Sequence, residues 1–497
     1  MQSNETQNGS GLPGAIFSLL DTDLYKITMQ CAVWKYFPDV EVTYNFTNRT
    51  PDMKFSRAAF LWLQAQINKL GDITLSSDEL DFLQKSCPYL EQKYIDYLST
   101  FRLDPLRQIT MSFLSVGINN ADEDLGEVML GVRGLWVETI LYEVPLLALT
   151  SEAYFRFCDR AWSYDGQEDN AYKKGVSLLR HGCKFSEFGT RRRRDYHTQD
   201  LVMEGLCRAA GDRARQDWKG GLLGTSNVHF AHRYGVAPVG TIAHEWFMGI
   251  AAVTDDYVKA SEIALQCWIG CFGEGVLGIA LTDTFGTPAF LDAFKKPLST
   301  PGLGGLRASE PATDSITSSK KANENTDSQV KSGKGPKTYA EVYAGVRQDS
   351  GDPAGFVRMM RQFYDTIGIE EKKTIVFSDS LNIDLCLKYM SEAEKSGFDS
   401  TFGVGTYLTN DFVNSSTGEK SVPLNIVIKL SSAAGRPAIK ISDNIGKNTG
   451  NPQTVEKVKR LLGYVEQDWE GGDETARWGK TSGSSGSGSS NSLESAM

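Results

Sequence analysis

The sequence predicts an α/β fold, because short apolar stretches alternate with helical ones from about residue 180 onward. Seven such stretches end in, or lead into, polar or glycine residues: 185–188, 224–227, 239–242, 279–283, 343–347, 374–379 and 401–405. This alternation is typical of a parallel α/β barrel or of a doubly wound sheet. The polar residues at successive strand ends favour an irregular barrel of the TIM type, in which the loops converge on one mouth.

The first 150 residues lack this rhythm and predict an α+β region. The turn at Asp21-Thr-Asp23 is expected to cap a helix that begins near Leu24. Residues 41–47 alternate apolar and polar side chains, which indicates a strand. Helices are expected over about 56–100, followed by strands and then by a further helical stretch before residue 157.

Three segments contain too few large apolar residues to form a packed core. Residues 1–16 are predicted to be a flexible arm. Residues 299–337, rich in Ser, Gly, Lys and Thr, are predicted to be a disordered insertion between two barrel units. Residues 481–497 are predicted to be a disordered Ser/Gly tail.

Net charge, cysteine spacing and hydrophobicity argue against several classes of protein. The net charge of −10 over 497 residues argues against a general nucleic-acid binder. Eight cysteines without zinc-ligand spacing suggest reduced thiols in a cytoplasmic or nuclear protein. The sequence has neither a leader-like start nor an uninterrupted apolar stretch of membrane-span length, so no membrane partner is expected.

His244 follows the predicted strand at 239–242. In α/β sheets the carboxyl ends of strands are where ligands bind. A histidine at such a position can accept a proton, a metal or a phosphoryl group. The alternative is a core histidine bonded to a backbone carbonyl.

Four consecutive arginines, Arg191 to Arg194, follow the strand at 185–188. Such a run often marks a solvated face or a nucleic-acid patch, but the acidic chain disfavours the second. At a barrel mouth the guanidinium fork suits phosphate or carboxylate. Only one or two of these arginines can face one ligand, and the others are expected to pair with acidic residues or solvent.

Two more strand ends carry candidate ligand-binding groups. Arg347, Asp349 and Asp352 could hold an anion, ribose hydroxyls or Mg²⁺, although Asp352 could equally cap the next helix. Gly403 and Gly405 form a glycine-rich turn whose backbone N–H groups could hold phosphate.

Ser378 and Asp379 add polar groups at the end of the stretch 374–379. The sequence lacks the P-loop, nucleophile-elbow and His-Glu-x-x-His motifs, which argues against the corresponding hydrolases. Cationic groups, aspartates and a glycine-rich turn together indicate a phosphorylated sugar substrate with Mg²⁺.

With these segments the chain resembles the nicotinate phosphoribosyltransferase family, of the fungal type. The matching stretches occur in family order at 18–28, 185–194, 223–227, 240–246, 280–287, 345–353, 402–406 and 423–429. The arm, the insertion and the tail depart from the family pattern, but none of them interrupts a motif.

The resemblance implies an irregular α/β barrel packed against an α+β domain formed by both chain ends. The barrel would occupy 151–411 and the α+β domain 17–150 and 412–480. The implied reaction joins nicotinate to phosphoribosyl pyrophosphate, giving nicotinate mononucleotide and pyrophosphate, with Mg²⁺ and with hydrolysis of ATP. Such an enzyme is ligase-like and serves NAD salvage.

The resemblance also implies roles for particular residues. His244 would be transiently phosphorylated by ATP. Phe188 and Tyr25 would stack on the pyridine ring, with Tyr25 lent by a second subunit in a homodimer. The remaining matches are Arg191, Gly403, Gly405 and Thr406 at the 5′-phosphate, Arg347 at the nicotinate carboxylate, Asp349 at the ribose, and Asp352, Ser378 and Asp379 without a defined role.

Two other readings compete with this one. A nicotinamide or quinolinate phosphoribosyltransferase would share the fold, and a catalytically idle metabolite-binding homologue would share it without turnover. Ser226 argues against nicotinamide, because the related nicotinamide enzymes carry an aspartate at the matching position. Quinolinate would require additional cations for its second carboxylate.

The first prediction concerns Ser226. We expect Ser226→Asp to weaken the use of nicotinate, because a carboxylate there would repel the carboxylate of the base. Loss of one charge-assisted hydrogen bond costs about 1.5–3 kcal/mol, or roughly ten- to a hundredfold in affinity. Steady-state kinetics with nicotinate measure the effect, and unchanged kinetics would remove Ser226 from the specificity argument.

Overall fold

The computed structural model describes residues 15–117, 124–299, 336–444 and 448–465. The predicted arm, insertion and tail lie outside the described residues, apart from residues 15, 16, 299, 336 and 337 at their edges. These three predictions therefore stay predictions.

Strands are numbered in chain order over the described residues. They are β1 (Glu41–Asn48), β2 (Phe55–Ser56), β3 (Ile109–Ser115), β4 (Leu125–Leu135), β5 (Lys184–Glu187), β6 (Gly221–Thr225), β7 (Ile279–Leu281), β8 (Gly345–Gln348), β9 (Thr374–Phe377), β10 (Asp399–Val404), β11 (Ile426–Ala433) and β12 (Arg436–Pro437).

Helices are numbered in the same way. They are α1 (Leu24–Tyr36), α2 (Arg57–Lys69), α3 (Ser77–Ser86), α4 (Gln92–Thr100), α5 (Pro105–Gln108), α6 (Trp136–Thr139), α7 (Glu143–Phe157), α8 (Gln167–Arg180), α9 (Tyr196–Gln216), α10 (Val228–Tyr234), α11 (His244–Thr254), α12 (Ala260–Phe272), α13 (Thr287–Phe294), α14 (Tyr339–Val342), α15 (Pro353–Thr366), α16 (Ile383–Lys395), α17 (Thr406–Thr409) and α18 (Pro452–Leu461). Short 3₁₀ turns lie at Leu70–Asp72, Ile140–Tyr142 and Thr190–Arg192.

Six strands form one parallel sheet in the order β6-β5-β10-β9-β8-β7. Phe185, Ile375 and Phe402 lie in its centre and are buried. Strands this apolar need cover, and helices along the chain pack against them: α8 against β5 and β6, and α16 against β10. The predicted α/β region is therefore confirmed.

The predicted strand at 239–242 is wrong. The chain there makes a single parallel bridge, between Thr225 and Pro238, and then continues without strand structure into α11. Proline cannot donate to a ladder, which limits pairing at this edge. Within the described part of the chain no ladder joins β6 to β7, so the parallel sheet is not closed by hydrogen bonds into a barrel.

The second sheet is antiparallel and draws on both ends of the chain. Its order is β12-β11-β1-β4-β2, and β3 also pairs with β4, from Ile109–Val132 to Ser115–Gly126. β1 pairs with β11 from Val42–Ala433 to Asn48–Ile426, so segments almost 400 residues apart in sequence are neighbours. The predicted pairing of an α/β region with an α+β region from both chain ends is confirmed, while the exact domain boundaries stay a prediction.

Helix α11 packs against β11 of the antiparallel sheet and is held there by a buried carboxylate. Glu245 accepts hydrogen bonds from the Tyr44 hydroxyl at 2.6 Å and from the Trp136 indole at 2.8 Å, and it pairs with the Lys26 ammonium. A Cβ on Gly249, one turn further along α11, would lie 2.2 Å from the Trp136 ring. The position of α11 therefore depends on the hydrogen-bond and ion-pair partners of Glu245 and on the absence of a side chain at Gly249.

Lys26 has a second carboxylate partner, Glu143, at 2.5 Å. Burial lowers the pKa of Lys26, but the charges of Glu143 and Glu245 outweigh that effect and leave its pKa raised. The buried ammonium therefore stays charged and links α1, α7 and α11.

No helix within the described ranges is both long enough and apolar enough to cross a membrane.

The second prediction concerns this network. We expect Glu245→Gln to lower the free energy of unfolding by about 3 kcal/mol, because the change leaves part of a buried ion pair uncompensated. Glu262→Gln is the matched control: its partner Lys296 lies 2.6 Å away but is 43% exposed, so the loss should stay below about 1 kcal/mol. Urea denaturation of both variants measures the difference, and equal losses would contradict a special role for Glu245.

Candidate active site

A cavity of about 250 Å³ opens between the carboxyl ends of the parallel strands and strand β11 of the antiparallel sheet. Eleven of the thirteen residues singled out from the sequence line it: Tyr25, Phe188, Arg191, His244, Arg347, Asp349, Ser378, Asp379, Gly403, Gly405 and Thr406. They come from distant parts of the chain and meet because parallel strands end at the same edge of their sheet.

His244 is the first residue of α11 and is 20% exposed. Its Nδ1 lies 3.0 Å from the Thr284 hydroxyl, and its Nε2 lies 3.0 Å from Asp349 Oδ2 and 2.7 Å from Lys440 Nζ. Burial and the charge of Lys440 lower the pKa of His244, against the opposing charges of Asp283 and Asp349. The imidazole therefore stays neutral near pH 7.

Arg347 presents an oriented guanidinium fork. Its Nε donates to Ser378 at 2.8 Å and its two terminal nitrogens donate to Thr241 at 3.0 Å and to Asp349 at 2.7 Å. The register of β8 and β9 explains this arrangement, because Gln348 pairs with Phe377 and so brings Asp349 beside Ser378. A fork held on three sides is pre-organised to bind a planar anion.

The aromatic side of the cavity is formed by Phe188, which directly follows β5. A Cβ on Gly403 would lie 2.5 Å from the Phe188 ring, and one on Gly405 would lie 2.9 Å from the Phe188 carbonyl. Both glycines are thus needed because a side chain at either position would clash with Phe188. The sequence suggests a different role for them, a turn that binds phosphate. Thr406 follows them and begins α17.

Tyr25 reaches the cavity from within the same chain. The guanidinium of Arg191 lies 5.9 Å from the centre of the Tyr25 ring and 3.4 Å from the carboxylate of Glu143. Burial raises the pKa of Tyr25, so its hydroxyl stays protonated. A second subunit is not required to bring this aromatic residue to the cavity.

The four arginines separate into two pairs. Arg191 and Arg192 line the cavity. Arg193 is buried and makes a bidentate pair with Asp21 at 2.8 and 2.6 Å. Arg194 is also buried, where it donates to Asn410 at 2.9 Å and lies 4.0 Å from the centre of the Phe155 ring. Half of the run is therefore structural.

Ser226 and Asp352 are not among the residues that line the cavity. The Ser226 hydroxyl donates to Asp23 at 2.7 Å, and both side chains are buried. Asp23 stands at the start of α1 but makes no side-chain hydrogen bond to the helix, so its expected capping role is wrong. Asp352 does cap its helix, because it accepts from the backbone N–H groups of Ala354 and Gly355.

Sequence reasoning missed five charged residues that line the cavity: Arg49, Glu143, Glu245, Lys429 and Lys440. Glu143 and Lys440 each lie in a largely apolar stretch, and a charged residue in such a stretch is the signal that could have revealed them. Lys440 is held by backbone hydrogen bonds, since its N–H donates to Thr449 and the next N–H donates to the Thr284 carbonyl at 2.8 Å.

His244, Asp283 and Asp349 could together hold a metal ion, since their ligand atoms lie within 4.8 Å of one another. The ammonium of Lys440 is already there, 3.3 Å from Asp283 and 2.7 Å from His244. The Lys440 ammonium therefore compensates negative charge in this cluster without an added cation. Asp349 and Asp379 are the carboxylates beside the parallel strands that face the cavity itself.

The chain is similar in sequence to known proteins. The sequence model of the nicotinate phosphoribosyltransferase (NAPRTase) N-terminal domain matches residues 20–151, and that of the NAPRTase family matches residues 183–307 and 311–466. The nicotinate phosphoribosyltransferase of Saccharomyces cerevisiae is 44% identical over 93% of this chain and 99% of its own. The chain belongs to the nicotinate phosphoribosyltransferase family.

Solved structures of similar chains share the fold of this family member. A Saccharomyces cerevisiae chain, 42% identical, superposes with a TM-score of 0.79 over 91% of this chain and all of its own. The nicotinate phosphoribosyltransferase of Porphyromonas gingivalis, 32% identical, gives a TM-score of 0.73 over 90% of this chain and all of its own.

The third prediction concerns protonation of His244. Because its pKa is lowered, folding favours the neutral ring, and the stability it contributes is present above the ordinary pKa of 6.5 and is lost as the pH falls below it. In protein carrying labelled histidine, we expect the NMR titration midpoint of His244 to lie below 6.5, with His244→Asn identifying the signal. A midpoint above 6.5 would contradict the described environment.

Proposed function

We propose that this chain transfers the phosphoribosyl group of phosphoribosyl pyrophosphate to nicotinate, releasing pyrophosphate and forming nicotinate mononucleotide. Family membership supports the reaction class. The observation that carries the proposal is the meeting of an aromatic ring, Phe188, and an oriented arginine fork, Arg347, in one cavity that also contains His244. A flat aromatic carboxylate suits the first two groups.

In this proposal the protein acts mainly by positioning and by charge. The pyridine nitrogen of nicotinate is nucleophilic without loss of a proton, so attack on C1 of the ribose needs no general base. Holding the ring against Phe188 and its carboxylate at Arg347 would align the nitrogen with C1. Tyr25 could cover the other face of the ring.

Six cationic residues and four acidic residues line the cavity, and this excess of positive charge suits a substrate that carries three phosphates. Arginine and lysine groups near the leaving pyrophosphate would stabilise the charge that develops there. The cationic residues that line the cavity are Arg49, Arg191, Arg192, Arg347, Lys429 and Lys440. Arg191, with the turn at Gly403, Gly405 and Thr406, is proposed for the 5′-phosphate.

Mg²⁺ fits this donor set, because carboxylate oxygens are its preferred protein ligands. Asp349 and Asp379 would hold it on the protein side, and Asp349 would also lie near the ribose. When bound, the ion supplies charge neutralisation for pyrophosphate. Ser378 serves this arrangement indirectly, since its hydroxyl donates to Asp349 at 2.8 Å and accepts from Arg347.

We further propose that ATP phosphorylates His244 and that hydrolysis of the phosphohistidine drives turnover. The γ-phosphoryl group would pass from ATP to a ring nitrogen, with ADP as the leaving group, and later to water, giving phosphate. The neutral imidazole on the cavity wall supports this role, since a neutral ring nitrogen is a nucleophile. With this ATP step the enzyme would be ligase-like. We propose that it acts in NAD salvage in the cytoplasm or nucleus, as a monomer or a homodimer.

The fourth prediction tests substrate and energy coupling together. Purified protein with phosphoribosyl pyrophosphate and Mg²⁺ should convert nicotinate, not nicotinamide or quinolinate, and ATP should accelerate turnover with release of ADP. Labelled ATP should phosphorylate the wild type and His181→Ala, whose exposed histidine directly follows α8, but not His244→Ala.

The outcomes separate the alternatives. Turnover of nicotinamide instead would contradict the specificity argument. Turnover of nicotinate without ATP-dependent labelling would leave the transferase and remove the phosphohistidine. No turnover with any base would favour an idle metabolite-binding homologue.

A further inference from the structure

Nε2 of His244 has two close partners that require opposite protonation states. Lys440 Nζ, at 2.7 Å, carries only donors and can bond only to an unprotonated nitrogen. Asp349 Oδ2, at 3.0 Å, carries only acceptors and can bond only to an N–H. One neutral ring cannot satisfy both, so one of these contacts decides the tautomer.

The surroundings of the ring favour the contact of Nε2 with Lys440 over its contact with Asp349. Its ammonium lies 3.3 Å from Asp283, and a protonated Nε2 would place two donors 2.7 Å apart. The carboxylate of Asp349 is less dependent on the ring, because its other oxygen already accepts from Arg347 at 2.7 Å and from Ser378 at 2.8 Å. The doubly protonated ring, which would satisfy Asp349, has the same conflict, because its Nε2–H would also face the Lys440 ammonium 2.7 Å away.

The opposite side of the ring is consistent with this assignment. Nδ1 lies 3.0 Å from the Thr284 hydroxyl, which can accept its proton. Thr284 is 2% exposed and does not line the cavity, whereas Lys440 and Asp349 do. Nδ1 therefore faces the protein interior, and Nε2 faces the space from which a ligand would arrive.

From this geometry we infer that Lys440 is a positioning residue that keeps Nε2 of His244 unprotonated, with the ring proton on Nδ1 toward Thr284, so that Nε2 is the atom that accepts phosphate. The phosphate-accepting step rests on the function proposed above. The tautomer itself does not, since it follows from the resting geometry.

The transfer balances without a base. The Nε2 lone pair forms the new P–N bond while the bond between the γ-phosphorus and the oxygen bridging to ADP breaks, and its electrons leave with ADP. The ring keeps its Nδ1 proton, held by Thr284. The Lys440 ammonium, displaced from the lone pair, is then next to the incoming phosphoryl oxygens and can pair with them. In the other tautomer Nε2 would first have to lose a proton.

The test begins without ATP, on full-length protein with ¹⁵N-labelled histidine. Long-range ¹H–¹⁵N spectra distinguish a protonated from an unprotonated ring nitrogen, and His244→Asn identifies the His244 signals. We expect Nδ1–H in the wild type and in Lys440→Arg, which keeps a donor. In Lys440→Met we expect Nε2–H, because the groups left near Nε2 are the acceptors of Asp349 at 3.0 Å and Asp283 at 3.8 Å. An Nε2–H ring in the wild type, or no change in folded Lys440→Met, would overturn the inference.

Removal of Lys440 leaves Asp283 without its ammonium, so Lys440→Met could fail to fold. The double variant Lys440→Met/Asp283→Asn then replaces it, because it also removes the carboxylate that would be left without its ammonium. We expect the Nε2–H tautomer toward Asp349 in this variant too, and an Nδ1–H ring there would count against the inference.

The second arm uses ATP and identifies the phosphorylated nitrogen. We expect phosphate on Nε2 in the wild type and, in Lys440→Met, formation about tenfold slower, comparable to loss of one charge-assisted hydrogen bond. Phosphate on Nδ1 would overturn the inference. If no phosphohistidine forms in the wild type, the proposed ATP step fails, while the tautomer spectra still decide the role of Lys440.

Discussion

The position of helix α11 depends on one buried carboxylate. Glu245 joins the lysine of α1, the tyrosine of β1 and the tryptophan of α6, so three separate segments meet at a single residue of α11. The preceding residue is His244, which this anchoring turns toward the cavity. A buried charge without these partners would cost several kcal/mol, so the helix has little freedom to sit elsewhere.

The chemical groups of the cavity come from two walls that belong to different parts of the chain. One wall consists of the ends of parallel strands, which supply Arg347, Asp349 and Phe188. The other wall comes from the far end of the chain, which supplies Lys429 and Lys440. Each wall carries cations, and a site for several phosphates needs positive charge from more than one direction.

Charged groups in this cavity mostly act through one another. Arg347 is oriented by Asp349 and Ser378, and Asp349 also touches His244, which in turn contacts Lys440. A change at one member therefore alters the hydrogen bonding of the next. In a site of low dielectric such coupling is strong. Burial and the charge of Lys440 lower the pKa of His244, which explains why its ring stays neutral beside two carboxylates.

The local pattern of the chain was enough to predict the α/β rhythm, the strand ends and most residues of the cavity, because side-chain periodicity and turn chemistry act over a few neighbouring residues. It was not enough for the stretch at 239–242, where Pro238 limits pairing, nor for the roles of Ser226 and Gly403. Those depend on partners far away in sequence, Asp23 and Phe188. Lys440 shows the same limit most clearly: its contact with His244 spans 196 residues, and only the packing of the two sheets brings the pair together.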